Sequence, residues 1–258
     1  MYLKTFRRLV PAMLLAIILA QPAILKAEEE TGLSGSLGVA VAAIPEFEGS
    51  NRYKAWIQPV ADLSYGPVFL STGRGLGVNL VSAPGWTVAP AVRYRWARKE
   101  RDSDLLKGLG DIDGGAEVGG VISWKPGSAG LSLKVFQGLG QVDGLTVELE
   151  ANYGTTLTDC LQGSVSLSAM FADQDYHQRY FGLTPEQSRL SGYRVYEPDS
   201  GLKHVALTGT LSYDLTERIS LGLMAEYKRL AGPAADSPLV ERGSANQFIS
   251  AFSASFNF

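Results

Sequence analysis

The sequence predicts an all-β fold, a transmembrane antiparallel β-barrel of 12 strands with short periplasmic turns and long extracellular loops. Three observations carry this expectation. Apolar residues recur at every second position through segments of about 10–12 residues, long for a soluble sheet and close to the 9–11 residues of a tilted strand crossing a bilayer. The connections between these segments are short on one side and mostly long on the other, as in outer-membrane barrels. Charges gather on the phase opposite to the apolar one.

Composition narrows the field first. With 258 residues, 45% hydrophobic and 19% charged, the chain is too apolar to be disordered. One Cys excludes a disulfide scaffold, and one Cys with two His argues against a transition-metal centre, so no metal and no cofactor is expected. A formal charge of -3 excludes the basic surface of a nucleic-acid binder.

The elements follow in order. Lys4, Arg7 and Arg8 precede an apolar run over 9–20 that Pro22 breaks, which reads as a cleaved signal peptide over 1–27. The barrel then occupies 28–258. The signal holds four of the 23 basic residues and none of the 26 acids, leaving the mature chain at about -7. Cys160 is alone in an oxidising compartment and reads as a small buried or lipid-facing residue.

Strands are expected at 33–44, 55–65, 68–74, 75–82, 86–97, 113–124, 130–138, 144–153, 160–171, 204–215, 219–230 and 247–258, the third and fourth being the least regular. Trp86, Val88, Pro90, Val92, Tyr94 and Trp96 alternate with Thr87, Ala89, Ala91, Arg93 and Arg95. Leu161, Val165, Leu167 and Phe171 alternate with Gln162, Ser164, Ser166 and Ser168. The last strand brings Phe248, Phe252, Phe256 and Phe258 to one face, and its terminal Phe resembles the signal read by the outer-membrane assembly machinery. Long connections are expected at 45–54, 98–112, 172–203 and 231–246, and aromatics such as Trp86, Trp124 and Phe256, or Tyr94, Trp96 and Tyr227, read as two interface girdles. Lipid offers no partner to an open sheet edge, so the first strand must pair with the twelfth.

Inside such a barrel, Arg93, Arg95, Glu117, Lys134, Glu148, Glu150, Glu226 and Lys228 are the candidate lumen lining. Two readings stay open: a charge-selective channel wall, or a cross-strand ion-pair network that fills the lumen. Loop 98–112 carries eight charges and reads as a solvated face, with a divalent cation or lipopolysaccharide phosphate as the sharper alternative. Loop 172–203 is too long for a bare connector. In it Thr184 is a helix N-cap, Pro185 the first helical residue and Gln187 the capping-box partner, which predicts a helix near 185–190. Tyr176, Tyr180, Phe181, Tyr193 and Tyr196 would pack it as a lid or plug, or else bind an external ligand as an adhesin or receptor. Catalysis is not expected: His177 and His204 are the two histidines, and Ser200 near His204 sits in no nucleophile elbow.

A set of segments then points to a family. They are Tyr180-Phe181-Gly182-Leu183-Thr184-Pro185-Glu186-Gln187-Ser188, Gly201-Leu202-Lys203, Ala235-Asp236-Ser237-Pro238-Leu239-Val240 and Gly243-Ser244-Ala245-Asn246-Gln247-Phe248, preceded by Glu48-Gly49-Ser50, Gly75-Leu76-Gly77 and Gly108-Leu109-Gly110-Asp111. In their order and spacing the sequence resembles the MltA-interacting protein (MipA/OmpV) family of Gram-negative outer-membrane proteins, from about residue 33 to 258. One departure is Phe47, where the family pattern leads one to expect Tyr. The resemblance implies an outer-membrane location, contact with lipid and lipopolysaccharide, and a scaffold role joining a murein transglycosylase to a murein synthase. It also implies links to adhesion, osmotic response or antibiotic sensitivity, and no catalytic residues. A narrow, porin-like solute channel is the other functional expectation.

Overall fold

The computed structural model describes residues 32–258, so the signal peptide expected over 1–27 lies outside the described residues. The chain forms one closed antiparallel sheet of twelve strands: β1 (Leu33–Pro45), β2 (Tyr53–Tyr65), β3 (Val68–Ser71), β4 in two pieces (Gly75–Val78 and Val81–Ala83), β5 (Trp86–Arg95), β6 (Gly115–Trp124), β7 (Ala129–Gly138), β8 (Gly144–Thr158), β9 (Leu161–Ala172), β10 (Gly201–Asp214), β11 (Ile219–Leu230) and β12 (Asn246–Asn257). Each strand pairs with the next, and β1 pairs with β12 from Ser36↔Asn257 to Ala43↔Ser250, so the start of β1 and the end of β12 meet at the short-turn end.

Alternation decides what faces lipid. Leu37, Val39, Val41, Ile57, Leu149, Leu167, Leu207, Leu223, Phe248 and Phe252 are all exposed, and Ile57 reaches 71%. An exposed belt of this size is stable against hydrocarbon and ruinous in water. Aromatic pairs mark its rims: Trp86 stacks on Trp124 at the short-turn end, while Tyr94 meets Trp96 edge to face and Tyr227 lies tilted against Phe248 at the other. One charge does share the lipid-facing phase, Arg229, an exception to the expected segregation. It sits at the long-loop rim and donates to Asn246 Oδ1, a position from which a long cation reaches the interface.

The expected third and fourth strands are shortened. β3 spans four residues, and β4 breaks at Asn79–Leu80. The register Leu76↔Val92 and Gly77↔Ala91 would set Val78 opposite Pro90, which has no N–H to give. The ladder resumes one residue out of step at Val81↔Val88.

Four helices lie in the long loops: α1 (Gln174–Tyr180), α2 (Pro185–Ser191), α3 (Gly232–Ala235) and α4 (Pro238–Arg242). At α2 the Thr184 hydroxyl accepts from Gln187 N–H while the Gln187 side chain accepts from Thr184 N–H, and Gly192 closes the helix at φ +73°. These helices join loops 46–52 and 98–112 into a cap over the barrel mouth. Its apolar interior is Phe47, Leu106, Leu109, Leu183, Tyr193 and Leu239, with a second cluster of Tyr176, Phe181, Leu230 and Val240 beneath.

Replacing Leu223, mid-strand on β11 and paired with Leu211 and Phe252, by Arg puts a charge into hydrocarbon. The expected loss is about 2–4 kcal/mol of folding free energy, read by urea unfolding in lipid vesicles.

Candidate functional site

The lumen divides into three zones. Nearest the short turns is a polar vestibule of about 760 Å³ lined by Ser164, Ser166, Thr210, Ser212, Asn152 and Glu150. At mid-height one wall is apolar: Phe69 and Phe136 point inward against Ala89, Ala91 and Val121. None of these five residues was among the candidate lumen residues of the sequence. Small residues on β5 leave the room that the two rings fill. Arg74 lies over Phe69 at 4.3 Å and Arg93 over Phe136 at 3.9 Å, so each ring carries a cation on its face.

The inward charges are paired across strands. Arg93 Nε donates to Glu117 Oε2 at 2.6 Å and Arg95 Nε to Glu117 Oε1 at 2.9 Å; the register Arg93↔Glu117 places them side by side. Glu117 is 2% exposed, and two guanidiniums on one carboxylate are what make its burial tolerable. Lys134 bridges Glu148 at 2.8 Å and Glu150 at 2.9 Å. Lys228 lies 3.2 Å from Glu226, which also accepts from the Thr208 hydroxyl. The eight candidate lumen residues thus fall into three separate groups.

The first group continues into the cap. Arg95 Nη1 donates to the Tyr176 hydroxyl at 2.8 Å, and Lys203 Nζ donates to the same oxygen at 2.9 Å. Lys203 in turn lies 2.8 Å from Glu48 Oε2. A chain of polar contacts therefore crosses the barrel from β6 through β5, helix α1 and β10 to the β1–β2 loop. Helix α1 can sit this low because β8 begins with Gly144 at φ +127°, where a Cβ would lie 2.6 Å from the Tyr176 backbone.

Lys203, Tyr176 and Glu48 were not among the expected lumen residues. Val205 and Leu207 face lipid, so a strict period of two would send Lys203 outward as well. A β-bulge prevents it: β9 pairs Met170↔His204 and then Phe171↔Leu202, which leaves Lys203 as the extra residue and turns it inward, 4% exposed. Glu48 belongs to the Glu48-Gly49-Ser50 segment, whose Gly49 N–H and Ser50 carbonyl are both held by the Gln247 side chain of β12. Burial pushes the Glu48 carboxyl up, but the Lys203 ammonium, with Lys228 and His204 beyond it, outweighs this and holds it at about 2. His177, fully buried in α1, is pushed down to about 4 by burial and then by Lys203.

The remaining loop residues serve the cap. Phe181 and Tyr193 are buried, and the Tyr193 hydroxyl donates to the Leu105 carbonyl. Gln187 reaches the Leu109 carbonyl at 2.7 Å, Ser237 donates to the Phe181 carbonyl, and Tyr180 stacks on Tyr176 with centroids 4.7 Å apart. Thr184 and Pro185 form the start of α2. Within loop 98–112, Glu100 accepts from the Gly108 and Gly110 amides, and Lys99 lies 3.2 Å from Asp111. Cys160 is partly buried in the β8–β9 turn, its sulfur 3.7 Å from the Thr158 hydroxyl.

An apolar belt around a closed antiparallel cylinder, with charges paired inside it and a loop-built cap at one mouth, defines a β-barrel of the outer-membrane type. The chain belongs to the MltA-interacting protein MipA family, whose model matches residues 37–258. It is 28% identical over 89 residues to a putative outer membrane protein, YiaT, of Escherichia coli strain K12; the match covers 34% of this chain and only 35% of that relative. Among solved structures it resembles a NanC porin (TM-score 0.49, 9% identity, 86% of this chain and 100% of that one). It also resembles a bacterial polysaccharide outer membrane secretin (TM-score 0.46, 10% identity, 87% and 98%). These likenesses are too loose to speak of function.

Two outcomes follow. Tyr176→Phe strands two buried cations without their shared acceptor, and should cost about 1–3 kcal/mol, seen as earlier cap unfolding in limited proteolysis. Glu48 has a depressed folded-state pKa, so its contribution is full above its ordinary value of 4.5 and is lost as pH falls toward about 2. Glu48→Gln should flatten cap stability across that window, measured by hydrogen exchange of residues 174–191.

Proposed function

We propose that this protein is a non-enzymatic, structural outer-membrane barrel, exported through a cleaved signal, that scaffolds murein-processing enzymes at the envelope. Membership of the MipA family supports the partner class, since the family is described by its interaction with MltA. The single observation that carries the structural role is the ionic tie of the cap to the barrel wall. Glu117, Arg95, Tyr176, Lys203 and Glu48 fasten the cap across the lumen, an arrangement suited to rigidity and not to passage. Short turns leave a small periplasmic rim, so the partner contact is weak on its own and favours enzymes anchored beside the barrel. Both histidines support the non-enzymatic reading: His177 is buried inside the cap, and His204 is buried beneath it beside Glu48.

A second reading, a narrow solute channel, is favoured by the vestibule of about 760 Å³, which reaches up to Glu150.

Two experiments separate the readings. Crosslinked envelopes should yield murein transglycosylase and synthase with the tagged barrel; their absence removes the scaffold. In planar bilayers the intact barrel should be silent, and replacing 174–198 by a short Gly-Ser linker should open a conductance. A steady current through the intact protein would favour the channel.

A further inference from the structure

The hairpin of β3 and β4 is too short to fill its place in the wall. It rises only to Thr72, whose N–H donates to the Ala61 carbonyl while its hydroxyl accepts from Ala61 N–H, both at 2.8 Å. On the other side it ends at Leu76↔Val92. Above this level β2 continues from Val60 to Tyr53, and no strand among the described residues pairs with its edge away from β1. β5 continues likewise past Val92 to Arg95. A cleft therefore separates β2 from β5 in the half of the barrel toward the long loops.

The cleft lies at the height of lipid. Its banks carry the exposed side chains of Tyr53 and Ile57 on β2, and of Val92, Tyr94 and Trp96 on and just beyond β5. By the two-residue alternation from Ala61, the backbone groups of Pro59, Ile57 and Ala55 point into it. An unpaired edge does not persist in hydrocarbon unless it borders a polar space or is covered. Pro59 has no N–H at the first of these positions, which counts against an added strand as the cover. The Trp56 and Trp96 rings meet edge to face across the cleft, 5.8 Å apart.

Behind the cleft is a chamber of about 410 Å³, walled by Lys54, Trp56 and Gln58 on one bank and Arg95, Trp96, Ala97 and Arg98 on the other. Three carboxylates also line it: Glu48 is held by Lys203, Asp102 accepts from the Lys99 N–H, and Glu46 keeps a buried oxygen without a donor. It holds polar atoms that nothing in the described residues satisfies. Arg98 Nε, the Tyr180 hydroxyl and Glu46 Oε2 are buried without a hydrogen-bond partner. Arg98 reaches the Tyr180 carbonyl through Nη1 at 2.8 Å but meets no carboxylate, and burial pulls its guanidinium down to about 10. Lys54 also meets no carboxylate among the described residues; it lies over Trp56 at 5.7 Å. Elsewhere in the lumen each inward cation of β5, β7 and β10 has a carboxylate. This chamber therefore offers two cations lacking an anion, next to one acceptor lacking a donor.

We infer that the cleft is a lateral port for an anionic membrane amphiphile, whose head enters the chamber while its acyl chain stays in the bilayer between Ile57 and Tyr94. The anion takes Arg98 and Lys54, and a hydroxyl or amine on the head takes Glu46 Oε2. The tail covers the open edge of β2, and Trp56 with Trp96 forms the hinge of the port. One source is meant, the surrounding leaflet, and not a soluble anion entering from the mouth.

The test uses the full mature barrel in an uncharged detergent, with bound molecules counted by native mass spectrometry. The probes are dihexanoyl-phosphatidylglycerol, dihexanoyl-phosphatidylcholine and tail-less glycerol 1-phosphate. One phosphatidylglycerol per barrel is expected, bound about tenfold more tightly than phosphatidylcholine, with glycerol 1-phosphate not retained. Arg98→Gln should weaken it about tenfold, and Lys54→Gln, which touches no other polar partner and spares the cap, about threefold. Equal binding of the two lipids, equal retention of glycerol 1-phosphate, or affinity unchanged in Lys54→Gln would each overturn the port.

Discussion

In hydrocarbon a backbone amide has only the protein itself for a partner, and this constraint orders everything else in the molecule. It forces β1 to meet β12 and gives every long strand two neighbours. It makes the side-chain alternation absolute, because once the backbone is spent on the wall the outside is left to Leu, Val and Phe and the inside to whatever can be paired. Two facing stretches escape among the described residues, the upper edges of β2 and β5, and the cleft between them backs onto unsatisfied polar atoms. A local exception to a strict rule, coinciding with stranded donors and acceptors, is more informative than either feature alone.

Inside the wall a second balance operates. Charges taken from water are tolerable only in company. Glu117 is shared by two arginines, and the Tyr176 hydroxyl by Arg95 and Lys203, so that each buried group is held from more than one side. These contacts join strands distant in sequence through a helix of the cap. Cap and wall therefore behave as one polar solid, and this is why a lumen wide enough for a vestibule is nevertheless obstructed above it.

Much of this was legible in the sequence. A period of two is a direct image of a pleated strand in lipid, so nine of the strands and their facing could be written down from Trp86–Trp96 and its like. The α2 helix was visible because Thr184, Pro185 and Gln187 form a local signal with a local cause. Arg93, Arg95 and Glu117 could be placed on neighbouring strands for the same reason. What could not be read depended on breaks in the rule. Lys203 points inward because of a bulge, and a bulge leaves no mark in the alternation except that a cation falls on the apolar phase, where it invites the reader to end the strand instead. Phe69 and Phe136 were hidden by the opposite effect: apolar residues at inward positions look like errors of phase until Ala89 and Ala91 are seen making room for them. The cleft is invisible in sequence because it is an absence, a hairpin too short for its site, and only the register of Ala61 against Thr72 reveals where the ladder stops.

The Gln247 side chain grips Gly49 and Ser50 across nearly two hundred residues of chain, and Ser244 N–H donates to the Gly49 carbonyl. The lid over the long-loop mouth is thus tied between the first hairpin and the last. During biogenesis this tie can form only once the final strand has docked against the first, so its completion reports, without any separate device, that the seam of the cylinder has been sealed.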